Sequence, residues 1–296
     1  MKLLQRCTAA LAGAVLCLQL TAPARADSVN IGHVNLSFYE ATASVIQLLL
    51  ERSGWNVSLK AGSHSNIYPL VAKGDLDLYV AAWLPYAHAQ YWNEYQQNLV
   101  KLGPLFEDAK LFWAVPAYVP ESDVKSVADL KKPEVAAKMV KAIRGTLPDS
   151  GIMIGSKKIF DSYGLGEAGY ELVPGPAKEW LANINERMAA GDWFVMPLWQ
   201  PQYLNRAYKL RILDEPQQFL GGSNVAYLVA NREFASKLSK KQRAMLSRIE
   251  LSLRAVTEMD YWVNVEKMTP RDAARRWIGA HPTTVTYWIE GTGEEQ

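Results

Sequence analysis

Gly74-Asp75-Leu76-Asp77-Leu78-Tyr79-Val80-Ala81-Ala82-Trp83-Leu84-Pro85 reads as a turn, a buried strand, and a tryptophan at the strand's carboxyl end with a proline two residues beyond it. The strand is expected over Leu76 to Ala81. Working backward, Asn66 to Lys73 is a short helix that stops at Gly74, and Trp55 to Lys60 alternates apolar and polar residues as a strand does. Before these, Glu40 to Arg52 has helical apolar spacing with Gly54 just past its end, and Val29 to Leu36 is a first strand. The β-α-β-α-β rhythm predicts an α/β fold, a mostly parallel sheet flanked by helices.

The opening stretch has an echo. Gly191-Asp192, an apolar strand through Phe194 to Leu198, and Trp199-Gln200-Pro201 follow a helix over Ala182 to Ala190. In open α/β sheets, ligands sit outside the carboxyl ends of the strands. Two lobes facing each other would therefore bring Trp83 and Trp199 to opposite walls of one cleft. Two unrelated core tryptophans are the competing reading.

Outward from these units, Leu111 to Val115 is a strand ending at Pro116, and Ser126-Val127-Ala128-Asp129-Leu130 opens a new series. That series holds a strand near Lys141 to Leu147, the loop Pro148-Asp149-Ser150-Gly151, the helix Ile154 to Tyr163, and Leu210 to Leu213 before Asp214-Glu215-Pro216. A strand over Val225 to Ala230 and two or three helices complete the chain. The expected division is one discontinuous lobe, 27–115 with 217–296, and a second over 116–216, joined by two short crossings.

The first 26 residues read as a cleavable export signal. Lys2 and Arg6 precede a mostly apolar stretch from Cys7 to Leu20, and Ala24-Arg25-Ala26 offers small residues for cleavage after Ala26. The apolar run is shorter than the roughly 20 residues a spanning helix needs. Leu16 stands before Cys17 where lipid attachment would call for a small residue, so a periplasmic protein without a lipid anchor is expected. Both cysteines, Cys7 and Cys17, fall in this leader, which excludes disulfides and cysteine chemistry from the mature chain. Without Lys2, Arg6 and Arg25 the 32 basic residues become 29 against 30 acidic ones, which gives no reason to expect nucleic acid as partner. About 270 residues remain, comfortable for two domains.

Ten tryptophans invite a search for aromatic recognition. A quaternary ammonium has no hydrogen to donate, but ring faces attract its positive methyl shell from several sides, each for roughly 0.5 to 2 kcal/mol. Three or four rings closing from two lobes would give micromolar affinity. Phe38 and Tyr39, in Ser37-Phe38-Tyr39-Glu40, lie at a strand's carboxyl end, and Phe112 and Trp113 lie at the crossing between lobes. Of the latter two, one should face the cleft, since neighbours on a strand point to opposite sides. Trp92, Trp180 and Trp277 fall in amphipathic helices and read as packing. His64, Ser65 and Asn66 form a polar turn that could hold a ligand carboxylate or hydroxyl, or simply cap the next helix.

The segment Gly74 to Pro85 resembles the glycine betaine, choline and carnitine-type substrate-binding proteins of ABC importers. The resemblance continues in order through Trp113 to Val119, Tyr163-Gly164-Leu165, Leu198 to Pro201, Leu210 to Pro216, and Ala273 to Trp288. It implies a two-lobed, hinge-closing periplasmic-binding-protein fold with an aromatic box. It also implies a monomer whose partners are a membrane permease and its ATPase, with no cofactor or metal. By motif position Trp83 and Trp199 match box tryptophans, Phe38 stands where another tryptophan is usual, and Phe112 or Trp113 matches a fourth wall. Glu40 occupies the acidic position of choline binders, and is also placed to stabilise a helix's first turn. The loop Asp149-Ser150-Gly151 resembles the family's glycine-rich loop with one glycine left. The ligand is thus expected at the level of a class: small, methylated, and carrying a positive nitrogen.

Other readings lack their parts. Gly164-Leu165-Gly166-Glu167-Ala168-Gly169 matches a dinucleotide pattern, but a helix precedes it where a strand is required. No nucleophile elbow or zinc-protease motif is present, and His33, His64, His88 and His281 show no metal-ligand spacing. A periplasmic hydrolase of choline-ester-like substrates, or a sensory binder of methylated amines such as trimethylamine N-oxide, are the alternatives to a transport receptor.

Overall fold

The computed structural model describes residues 28–292; the expected leader lies outside the described residues. β1 (Ser28–Val34), α1 (Ser37–Arg52), β2 (Asn56–Gly62), α2 (His64–Lys73) and β3 (Leu78–Leu84) form the first run. β1 pairs in parallel with both β2 and β3, as the alternating pattern predicts. All seven positions of β3 are buried, which is why that strand is apolar without alternation. α2 is capped by Ser63, whose hydroxyl accepts the Asn66 N–H, so the cap precedes the His64-Ser65-Asn66 turn expected to supply it; the helix stops at Gly74 in the left-handed conformation (φ 86°).

After α3 (Ala89–Tyr95) comes β4 (Leu99–Pro116), 18 residues long where only Leu111 to Val115 is evident in the sequence. Its first part is irregular, with register shifts around Gly103, Pro104 and Phe106 and a positive φ at Asp108, and such bulges erase the alternation that marks a strand. Residues 99–109 of β4 pair with β9 (Asn224–Asn231), whereas 110–116 pair with β7 (Met196–Gln200) and β8 (Leu210–Ile212). One strand thus runs through both halves of the sheet.

Between these lie α4 (Pro133–Ala136), β5 (Ala142–Arg144), α5 (Gly151–Ser162), β6 (Glu171–Val173), α6 (Ala177–Ala190) and α7 (Leu204–Ala207). α8 (Arg232–Lys237), α9 (Lys240–Arg248), α10 (Leu253–Asn264), α11 (Pro270–Ala280) and α12 (Pro282–Glu290) follow β9. The long sheet has the order β2-β1-β3-β9-β4-β7, and β5 and β6 form a separate parallel pair. Among the named strands described, β2-β1-β3 and β5-β6 pair in parallel; β9, returning from the far half, runs antiparallel to both β3 and β4.

The two echoed units are alike in three dimensions. α6 ends at Gly191 (φ 72°) as α2 ends at Gly74, β7 follows as β3 does, and Leu84–Pro85 and Gln200–Pro201 are both cis.

Candidate functional site

Phe38 is the hinge of the aromatic cluster. α1 begins at Ser37, three residues before the expected start, so Phe38 and Tyr39 ride on its first turn. The Phe38 ring centroid is 5.8 Å from Trp83, 6.0 Å from Trp199 and 4.2 Å from Tyr39, all tilted contacts. Trp83 is held edge-on by Phe106 at 6.0 Å, and Trp199 is stacked on Trp180 at 4.8 Å and 18°. Phe38, Tyr39, Trp83 and Trp199 line one small cavity, with Phe106 and Trp180 packed behind the tryptophans. The indole N–H groups of Trp83 and Trp199 are buried and pair with nothing in the described residues.

The remaining wall comes from a strand. Leu111 lies directly across from Trp199 in the β4–β7 ladder and therefore shares its face. Neither Phe112 nor Trp113 lines the cavity: Trp113 is buried with its indole N–H donated to Ser156 of α5 at 2.7 Å.

The polar side of the cavity has two parts. One is the start of α5, where Ser150, Gly151 and Ile152 reach the cavity along with Thr146. Ser150 caps the helix by accepting the Met153 N–H, and its hydroxyl is held at 2.9 Å from that of Thr146. A helix N-terminus presents unpaired N–H groups and a positive dipole end, which suits an anionic group.

The other part is histidine. His88, which has no metal-like spacing and so drew no attention in the sequence, lies five residues after Trp83 and lines the same cavity. The Trp83 backbone N–H can only donate, and it does so to His88 Nδ1 at 3.2 Å, so the ring proton sits on Nε2, 3.4 Å from the Tyr39 hydroxyl. Burial lowers the His88 pKa well below the ordinary value, with neighbouring His64 adding to the effect. His64 is itself lowered to about 4 by burial, against a smaller opposing pull from Asp149. Both imidazoles are neutral at pH 7.

Asp149 and Glu40 stand outside this cavity. The Asp149 carboxylate accepts the Ser65 backbone N–H at 3.1 Å, and its backbone carbonyl accepts the Tyr91 hydroxyl at 2.8 Å. Burial would raise its pKa, but the bonds from Ser65 and the nearby His64 outweigh that and hold it low. Glu40 lines a wider cleft that adjoins the aromatic cavity, together with Asn66, Lys178, Asn185 and Lys267. Among the described residues, no acidic or basic side chain other than the two histidines lines the aromatic cavity itself.

Two lobes sharing a strand, with an aromatic cavity at the strand ends and a helix N-terminus facing it, define a solute-binding protein. Residues 27–280 match the family described as the substrate-binding domain of ABC-type glycine betaine transport systems, and the chain belongs to that family. It is similar to lactococcal OpuAC in its closed-liganded conformation complexed with glycine betaine: 25% identity, TM-score 0.80, covering 89% of this chain and all of that one. The glycine betaine/L-proline-binding protein ProX from Borrelia burgdorferi shares the fold at 24% identity and TM-score 0.81, over 89% of this chain and 97% of that one. The glycine betaine/carnitine transport binding protein GbuC of Listeria monocytogenes is 30% identical over 105 residues, 36% of this chain and 34% of that protein. The match thus spans about a third of the length of that curated relative. Among the described residues no helix is long and apolar enough to cross a membrane.

Proposed function

We propose that this chain is the extracytoplasmic receptor of an ABC importer, closing on a small betaine-type zwitterion. The observation that carries the reading is the charge of the cavity: the rings of Phe38, Tyr39, Trp83 and Trp199 around a space that, among the described residues, has no ionised side chain on its wall. A bare cation sealed there would be desolvated without a counter-charge, whereas a zwitterion brings its own. The rings take the methylated nitrogen, each for roughly 0.5 to 2 kcal/mol. The ligand's carboxylate meets the first N–H groups of α5 and the protonated side of neutral His88, or the Tyr39 hydroxyl next to it. The glycine betaine in the lactococcal relative supports the same ligand class.

The lobes are taken as 27–115 with 217–296 and 116–216; β4 leaves β9 for β7 between Ala109 and Lys110, a few residues before the first of these bounds. Export by the leader, action as a monomer, and delivery to a permease with its ATPase complete the proposal. The test is calorimetry together with a thermal-shift screen over choline, glycine betaine, carnitine, proline betaine and trimethylamine N-oxide, since a ligand that binds only the folded state raises its stability. Stoichiometric binding of a betaine without turnover is expected. Release of product from a choline ester would overturn the reading.

A further inference from the structure

Asp260 of α10 is fully buried and lines neither the aromatic cavity nor the wider cleft, although Ser37, Tyr203 and Asn264 around it line the latter. Its Oδ1 accepts the Ser37 hydroxyl at 2.5 Å and the Asn264 side-chain amide at 2.8 Å. Its Oδ2 accepts the backbone N–H of Tyr203 at 2.7 Å. Ser37 immediately precedes Phe38 at the start of α1, whose own N-cap, Leu36, makes no side-chain cap. Tyr203 follows the Trp199-Gln200-Pro201 turn, and Asn205 just beyond it donates to the Trp199 carbonyl at 2.8 Å. α1 packs on the β2-β1-β3 part of the sheet, while Trp199 lies on β7 at the opposite end of the strand order. One carboxylate therefore ties together the backbones that carry two adjoining walls of the box, Phe38 and Trp199.

We propose that Asp260 is a positioning residue that fixes how Phe38 and Trp199 stand against each other, and through that the degree of N-methylation the box accepts. This rests on the betaine-binding reading above. A cluster of methyl groups gains from ring faces only when they stand at contact distance, and an ångström of misplacement is costly to a preorganised site. A buried carboxylate with three donors is a costly group to retain for packing alone, and burial raises its pKa to about 6 even though Ser37, Tyr203 and Asn264 counter it. Removing one acceptor oxygen, as in Asp260→Asn, leaves the Tyr203 N–H or the Ser37 hydroxyl without its partner and lets the two walls drift.

The test compares glycine betaine with dimethylglycine, which differ by one N-methyl group, by calorimetry on the wild type, Asp260→Asn and Ser37→Ala. Both variants are expected to lose about tenfold in affinity for glycine betaine and clearly less for dimethylglycine, so that the preference narrows. Ser37→Ala keeps the buried carboxylate and its Tyr203 bond, and serves if Asp260→Asn does not fold. An unchanged affinity ratio in the folded variants, with only the melting temperature lowered, would mean that Asp260 merely packs, and overturns the inference. A wild type that binds neither compound nor any other quaternary amine overturns the functional reading, and this inference with it.

Discussion

Gly151, the first residue of α5, is packed against the backbone carbonyl of Ala87, in the loop that follows Trp83, so closely that a β-carbon on Gly151 would overlap the Ala87 oxygen. The contact joins the loop between β5 and α5 to the loop after β3 at the edge of the aromatic cavity. Gly151→Ala is therefore expected to weaken glycine betaine binding by about tenfold or more, because the backbone must back away and the cavity cannot shut. The melting temperature of the ligand-free protein should change little if the two loops separate when empty. Calorimetry and thermal shift on the same variant decide it, and wild-type affinity would remove the contact from the closing motion.

Trp83→Ala and Trp199→Ala should each weaken the true ligand by about tenfold or more through loss of a desolvated ring face. Phe38→Ala is expected to do the same, since Phe38 touches both tryptophans. Wild-type affinity in all three would dissolve the box.

Glu40 provides a separate test of ligand charge. It lines the outer cleft and not the aromatic cavity. Glu40→Gln is expected to weaken a net cation such as choline by about threefold, the scale of a solvent-screened charge, and to leave or improve glycine betaine. Parallel titrations of the two ligands read this directly, and an identical response would reduce Glu40 to a helix-start residue.

The buried imidazole of His64 predicts acid sensitivity. Its folded pKa of about 4 lies below the unfolded value of 6.5, so the unfolded chain takes up a proton first. The neutral ring's contribution is complete above pH 6.5 and is lost as the pH falls from there toward 4, on the order of 3 kcal/mol in all. Melting temperature should fall across that window, and His64→Gln should flatten the curve relative to the wild type. A wild-type melting temperature that holds steady between pH 6.5 and 4 would count against it.

What could be read from the chain depended on period and repetition. Trp83 and Trp199 were legible because each ends a continuous apolar strand after a Gly-Asp turn, and the turn glycines do adopt the left-handed conformation that the pattern requires. Leu111 was hidden because strand parity says only that residues 111 and 113 share a face. It does not say that Trp113 will be drawn off to Ser156, which depends on where α5 packs. His88 has no metal-ligand spacing to mark it; its signal in the sequence is local, five residues past Trp83 on the same turn. Asp260 has no signature in sequence at all, since its partners Ser37 and Tyr203 are 223 and 57 residues away.

The stacking of Trp180 on Trp199 has an optical consequence. Two indoles 4.8 Å apart and nearly parallel couple their strong ultraviolet transitions, and the circular dichroism of such a pair depends on their mutual orientation. Trp277 and Trp288 form a second stacked pair, at 5.6 Å and 14°, on α11 and α12, away from the cavity. The molecule thus carries one indole pair at the cavity wall and another away from it, so a ligand that moves Trp199 against Trp180 changes the dichroism of the first pair alone and needs no attached label.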